Sequence, residues 1–423
     1  MRVLFAANTE KTVFKYMVPL AWALRTAGHE VRFASQPLFA DQITQAGLTA
    51  VPVGHNVDLR RRLEELGADM EEQRAGIYPP YDAFTDPDKA TWDYLKPGIA
   101  QATKDWHHFD NFPIIAGLVE FARQWQPDLV IWEPMTFAGS IAAKACGAAH
   151  ARLLFGIDIF GGVRQLYREL NAAQPPEEQA DPIADWLGAY ARKHGSDFSE
   201  DMVTGNFTID QFPRSLQVEA DDLDYVRTQW VGYGGAAVVP KWLQKPVQRP
   251  RVALTMGLSA TEVYTGYNVP FTDILDGLAD LDIEVVATVA ESEQAKLGTV
   301  PDNARIVSYV PMHALVETCS AIVHHAGAAT LATAARHPIP HLSLHYHWDQ
   351  PILADLLTQQ GAGLDIHTTE VTGDNVRHNL QRLLTEPKFT ERATALRDEM
   401  LALPTPNELV PQLEELTTKH RTR

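Results

Sequence analysis

Ala321-Ile-Val-His-His-Ala-Gly-Ala-Ala-Thr330 is the stretch on which the fold turns, because a short β-branched run breaks into paired histidines and a small-residue turn that opens a helix. Backbone N–H groups at a helix start have no partner within the helix and point outward. Residues Ala326 to Thr330 are therefore placed to wrap a diphosphate, with the imidazole of His325 as a further donor, and the lack of bulky side chains lets the anion come close. About twenty residues on stands His345-Tyr-His-Trp-Asp-Gln-Pro351, where Asp349 and Gln350 offer adjacent acceptors and donors for sugar hydroxyls. A diphosphate site followed by a polyol site points to a nucleotide sugar.

Working outward, Val3 to Ala7 reads as a buried parallel strand, Val18 to Ala27 as the helix behind it with Gly28 as its cap, and His29 to Ala34 as the next strand. The rhythm recurs at Val252 to Met256, Thr272 to Leu281 and Glu284 to Val289, so the expectation is an α/β chain of two Rossmann-like, doubly wound halves. Further strands are expected at Leu129 to Trp132, Ala151 to Phe155, Arg305 to Tyr309, Ala321 to His324 and Pro340 to Leu344. Val231 to Leu243, followed by Lys245-Pro246, has linker composition. Gly232-Tyr-Gly-Gly within it lacks the third glycine and the following helix of a dinucleotide fingerprint. The boundary falls near residue 240, giving domains at 1–235 and 236–405 and a last helix, Asn407 to Leu416, within 406–423.

At 423 residues the chain suits two domains of ordinary size. Its 36 basic against 54 acidic residues give a net charge of −18, which argues against nucleic acid as a partner and leaves an anionic donor to local dipoles and histidines. Two distant cysteines, Cys146 and Cys319, suit a reducing cytoplasm. The apolar run before Asn8 is too short for a signal-peptide core, and no stretch reaches membrane-spanning length.

HHAGAAT, the preceding YVPMHAL (Tyr309 to Leu315) and the following WDQ resemble the donor-binding signature of family 1 glycosyltransferases of the GT-B fold. MVPLAWALRTAGHEVRFAS (Met17 to Ser35), PDLVIWEPMTFAGSIAA (Pro127 to Ala143) and HARLLFGID (His150 to Asp158) are similar to the antibiotic glycosyltransferases that attach deoxysugars to macrolide and anthracycline aglycones. The resemblance implies two Rossmann-like domains facing across a cleft, a last helix crossing back to the first domain, and inverting transfer from a TDP-deoxysugar to a hydrophobic polyketide-type aglycone. The donor is a co-substrate, and no cofactor or metal is expected. It assigns His325 to the diphosphate, Gly327, Ala328, Ala329 and Thr330 to its oxygens, Val310 to the nucleobase, and Asp349 with Gln350 to the sugar. Gly257 and Ser259 complete the phosphate pocket.

An extended stretch would place His345, His347 and Asp349 on one face, as a metal would need, but no cysteine or His-Glu pattern supports that alternative. Relatives of this type often need an auxiliary protein similar to a cytochrome P450 without haem chemistry. Residues 58–75, where Leu59, Leu63, Leu66 and Met70 form one apolar stripe after Asp58, are the candidate contact; an ordinary helix packed on its own domain is the alternative. A homodimer is a further option.

The general base is where the chain departs from the resemblance. Relatives carry a histidine in the loop after the first strand, but here Val13 stands at that position, and valine cannot accept a proton. Glu10 in the same loop, Asp158 at the end of HARLLFGID and Glu133 after its strand are the carboxylate candidates, each with a cap or solvated loop acid as the plainer reading. The aromatic run Trp106-His-His-Phe-Asp-Asn-Phe112 suggests an acceptor pocket of Trp106, His107, His108 and Phe112, with Phe137 beside it. An acidic acceptor, transfer to carbon or nitrogen, or low activity are ways around the missing histidine. The rivals are a nucleotide-sugar epimerase and a silent helper protein of the same fold. A dinucleotide oxidoreductase is disfavoured by the absent glycine fingerprint after Val3 to Ala7.

Overall fold

The computed structural model describes residues 1–57, 75–257, 259–262 and 266–422. Two parallel sheets organise them. The first holds β1 (Arg2–Ala6), β2 (Glu30–Ser35), β3 (Ala50–Pro52), β4 (Leu129–Trp132), β5 (Ala149–Leu153), β6 (Phe207–Asp210) and β7 (Tyr225–Arg227), in the order β3-β2-β1-β4-β5-β6-β7. The second holds β8 (Arg251–Thr255), β9 (Glu284–Thr288), β10 (Ala304–Val307), β11 (Ala321–His324), β12 (His341–His345) and β13 (Gly363–His367), in the order β10-β9-β8-β11-β12-β13. Helices cover both faces, which is why Val3, Leu4, Phe5 and Ala6 form an unbroken buried run instead of alternating. In each sheet the strand order reverses beside its first strand, between β1 and β4 and between β8 and β11. A crevice opens there at the carboxyl ends of the strands, which is where sheets of this kind bind ligands.

The first helix differs from expectation in a way that matters for the site. It spans Lys11–Thr26, starting seven residues before the expected Val18, because Glu10 caps it by accepting from the Thr12 amide at 3.1 Å. Val13 is thus a buried residue of the first helical turn, not part of a loop. β3 and β7 are only three residues long, β6 alternates apolar residues with the buried polar Thr208 and Asp210, and β13 carries exposed Asp365 and half-buried His367, so apolar runs do not announce them. Strands β5 and β10 begin and end slightly earlier than the sequence suggests.

The last helix, Pro406–His420, packs Leu409, Val410 and Leu413 against Phe14, Met17 and Leu20 on the first sheet. The chain crosses between the sheets twice. Residues 228–250 form neither strand nor helix, and the second crossing, Leu401 to Pro404, lies against the first. The Gln229 amide donates to the Pro404 carbonyl at 2.7 Å and the Thr228 hydroxyl to the same oxygen at 2.9 Å. Among the described residues no helix is long and apolar enough to cross a membrane.

Candidate active site

A cavity of about 500 Å³ lies between the carboxyl ends of the two sheets. On its second-sheet side β11 ends at His324, whose ring pairs with His341 at 3.0 Å and accepts from the Ala326 amide at 3.0 Å. Both rings are fully buried, and burial holds both imidazoliums far below their usual range, His341 at about 3. His324 is therefore a neutral pillar beneath the turn. His325 is the histidine that faces the cavity.

Two glycines make room for it. A Cβ on Gly257 would lie 2.7 Å from His325 Nε2, and one on Gly327 would lie 2.1 Å from the same atom. Ala326 between them takes φ 59°, so the turn is tight as well as small. Burial pulls His325 down to about 4, with the Thr255 carbonyl opposing, which leaves a neutral ring able to donate one N–H at neutral pH. The helix Ala328–Ala334 begins directly after, and Gly327 at its cap position supplies no side-chain bond to its first amides. Val310, Gly257 and Gly327 to Thr330 all line the cavity. Ser259 opens the short helix Ser259–Glu262, but its side chain lies outside the described residues.

Asp349 and Gln350 line the same cavity at the start of the helix Gln350–Gln360. The Gln350 side-chain oxygen Oε1 closes the preceding turn, accepting from the Tyr346 and His347 amides at 3.2 and 3.1 Å. Asp349 makes no side-chain cap on its own helix and accepts instead from the Ile157 amide, on the opposite side of the cleft. Burial pushes its carboxyl up to about 7. The face shared by His345, His347 and Asp349 does not form: β12 stops at His345, Trp348 turns the chain with φ 51°, and His345 pairs with Asp365 at 3.0 Å. Among the described residues no three His, Cys, Asp or Glu side chains are grouped to hold a metal ion.

The first sheet contributes the other wall: Glu10, Val13, Tyr16, Tyr78, Trp106, Met135 and Phe155. Of the five residues expected in an acceptor pocket, Trp106 alone is there. His107 is fully buried and bonded to the Tyr81 hydroxyl, and burial pulls it down to about 3. Phe137 is buried between Trp132 and Trp186, with ring centroids 5.8 and 5.7 Å away. His108 leans on Phe112 at 5.7 Å, and Phe112 is 56% exposed. The reason is geometric: the run is helical, through a π-turn at Thr103–His107 into His108–Trp125, so successive side chains fan around an axis and cannot share one wall.

The three candidate acids are also separated. Glu10 reaches the cavity while capping its helix, with the Thr12 hydroxyl donating to it at 2.8 Å. Glu133 is buried outside the wall, accepting from the Met135 amide at 2.8 Å, the Thr136 hydroxyl and the Asn8 amide; burial nevertheless pushes it up to about 7. Asp158 is not in the wall. It caps the helix Ile159–Ala172 through the Gly161 amide at 2.9 Å, pairs with Arg152 at 2.5 Å and accepts from the Tyr225 hydroxyl at 2.7 Å. Every part of that carboxylate has a structural partner, so it does not fit the role of a base.

Sequence reasoning passed over three features. Asp110, an acid inside the aromatic run, is pushed up to about 7 by burial and then by Glu133, and is hydrogen-bonded to Trp106. Tyr16, on the first helix, accepts from the Ala329 amide, feels the charge of Asp349 and packs on Trp230 with ring centroids 4.7 Å apart. Gly76 forms a two-bond bridge to the turn before Asp349: its amide donates to the Tyr346 carbonyl at 2.7 Å and its carbonyl accepts from Trp348 at 2.8 Å. Tyr78 beside it packs on Trp348 at 5.5 Å.

Beside this geometry, two crevices facing one cavity with the small-residue turn on the second sheet and an aromatic wall on the first, the sequence of the chain matches a known pair of family models. The model described as erythromycin biosynthesis protein CIII-like, N-terminal domain, matches residues 22–257, and that of the corresponding C-terminal domain matches residues 272–416. The chain belongs to this family. The CIII-like glycosyltransferases it resembles include the 10-deoxymethynolide desosaminyltransferase of Streptomyces venezuelae, 43% identical over 425 residues that cover 100% of this chain and 98% of that protein. The tylactone mycaminosyltransferase of Streptomyces fradiae is 42% identical over 426 residues, 100% of this chain and 93% of that protein. Among solved structures, the glycosyltransferase VinC in complex with dTDP superposes with a TM-score of 0.89 at 38% identity, covering 99% of this chain and 100% of that one. The spinosyn forosaminyltransferase SpnP gives 0.82 at 37% identity, with 99% of each chain covered. The CIII-like chain is thus a GT-B glycosyltransferase with two Rossmann-like domains.

Proposed function

We propose that this CIII-like enzyme transfers a deoxysugar, with inversion, from a TDP-sugar to a hydroxyl of an apolar polyketide-type aglycone. The observation that carries the reading is the neutral, buried His325, held between Gly257 and Gly327 beside the uncapped start of the helix Ala328–Ala334 and opening into the cavity that Asp349 lines. In this reading the acceptor oxygen attacks the anomeric carbon on the face opposite the diphosphate, and its proton passes to a base. The bond to the TDP oxygen breaks as the new bond forms. The N–H of His325 and the helix amides meet the charge that develops on the leaving diphosphate, a task for preorganised donors in a site shielded from water. Val310 lies by the nucleobase, and Gly327 to Thr330 by the phosphate oxygens.

Glu10 takes the base role here, since of Glu10, Glu133 and Asp158 it alone lines the cavity. The aromatic wall of Tyr78, Trp106 and Phe155 offers the aglycone an apolar surface. An auxiliary protein similar to a haem-free cytochrome P450, engaging residues 58–75, belongs to the same proposal. Residues 58–74 lie outside the described structure, so its support is the apolar stripe of Leu59, Leu63, Leu66 and Met70 and the family resemblance. Size-exclusion chromatography separates a monomer from the homodimer option.

The test is calorimetric titration of the protein with TDP, UDP and NAD, with His325→Ala as control. Tight binding of TDP that depends on His325 is expected. Absence of binding by TDP and UDP alike would overturn the donor-site reading.

A further inference from the structure

Asp349 follows β12 in the second sheet, yet its carboxylate is held by the Ile157 amide in the turn that follows β5 of the first. Gly156, just before, is buried, and a Cβ built on it would lie 2.1 Å from Asp349 Oδ2, 3.4 Å from Asp349 Cγ and 3.6 Å from the Ala328 Cβ. All three atoms belong to the second-sheet side. Gly156 is not among the glycines in the left-handed region, so its own backbone accepts a side chain and only the neighbour across the cleft forbids one.

The turn is fixed from beneath before any ligand arrives. Gln217 donates through Nε2 to the Gly156 carbonyl at 3.2 Å and to Asp210 at 3.1 Å, while its Oε1 accepts from the Asp158 amide at 3.0 Å. Asp158 is in turn locked to Arg152. HARLLFGID thus ends in a rigid two-residue platform aimed at the second domain, with Asp158 as its foundation.

We propose that the Gly156–Ile157 turn is the acceptor-side domain's half of the donor-sugar pocket: it fixes the Asp349 carboxylate that grips the sugar, and does so only when the two domains are closed. The inference rests on the donor-site reading above. A nucleoside diphosphate alone meets His325 and the helix start, which are elements of one domain. The sugar adds Asp349 and, through it, Ile157 of the other. A loaded donor therefore favours the closed cleft more than the TDP left after transfer, and product release follows from losing that second hold. Gln217 is a positioning residue for this contact.

Calorimetry on the full chain, with TDP and TDP-L-rhamnose as probes, tests this. Gly156→Ala is expected to leave the Kd for TDP within about twofold and to weaken TDP-L-rhamnose by about tenfold or more. In an Asp349→Ala background the added Gly156→Ala should change TDP-L-rhamnose affinity by less than about twofold, because the atom that the methyl meets is gone. That cycle separates a direct contact from general damage to the fold. Equal weakening of both probes, weakening of neither, or a full tenfold effect in the double variant overturns the inference. A wild-type protein that binds neither probe overturns the donor-site reading itself.

Discussion

Replacing Asp349 by asparagine should change how stability depends on pH, by an amount the site's burial sets. Asparagine keeps an oxygen that accepts from the Ile157 amide but cannot ionise. In the wild type, burial raises the carboxyl from 3.8 to about 7 in the folded state. Between those values the folded protein holds a proton that the unfolded chain has released, so the stability contributed by this group is complete below the lower value and falls as pH rises through the upper one. A shift of about three units at about 1.4 kcal/mol each makes the ionised wild type about 4 kcal/mol less stable than its protonated form, with about 2.5 kcal/mol of that loss between pH 5 and 8. Urea unfolding followed by tryptophan fluorescence at pH 5, 6, 7 and 8 reads the difference between Asp349→Asn and wild type. The variant should gain on the wild type by about 2.5 kcal/mol across that range, whatever its offset at pH 5. A gap that stays level would mean that the carboxyl is solvated or paired with a charge, and the argument from burial would be wrong.

Asp158→Asn should cost about 3–5 kcal/mol in chemical denaturation, because it leaves Arg152 charged and buried without its partner; a loss of turnover at unchanged stability would return Asp158 to the list of bases. Val13→His places an imidazole in the cavity wall where the resemblance expects one, and turnover in a TDP-sugar transfer assay should rise by about tenfold, less than the roughly 10²- to 10⁴-fold of a base added where none stood, because Glu10 already serves. No gain would argue that Glu10 already removes the proton without hindrance. Leu413→Ala should lower stability by about 2–5 kcal/mol, since Leu413 is fully buried on the first sheet, and an unfolding midpoint equal to wild type would contradict that packing.

The second-sheet side of the cavity was legible in the sequence because what shapes it is local. His325, the small residues after it and Gly257 do their work through backbone close to them, and a turn that admits an anion leaves few residue choices. The first-sheet wall was not, because membership in it depends on which way a helix faces. Trp106 and His107 are neighbours in sequence, but one lines the cavity and the other is sealed against Tyr81. Asp158 shows a related limit: a motif marks a residue as part of the site's construction without saying whether it meets a ligand or an arginine. Asp349 was identified by its place in WDQ, yet its partner lies 192 positions earlier in the chain, at Ile157, and only the meeting of two domains reveals it. The short strands escaped notice for two reasons: β6 buries the polar Thr208 and Asp210, and β7 is three residues long with Val226 alone buried.

The two stretches that join the sheets lie side by side, with the Gln229 side chain donating to the Leu401 and Leu403 carbonyls at 2.8 and 2.7 Å in addition to its backbone bond to Pro404. Two ropes tied to one another act as a door hinge, whereas a single rope would act as a swivel. Any opening of the cleft would then turn about the line on which Thr228, Gln229 and Pro404 sit, and would part the rim where Gly76 bridges to the turn at His347. A single distance measured across that rim, for instance between paired fluorophores, is then enough to follow the whole motion.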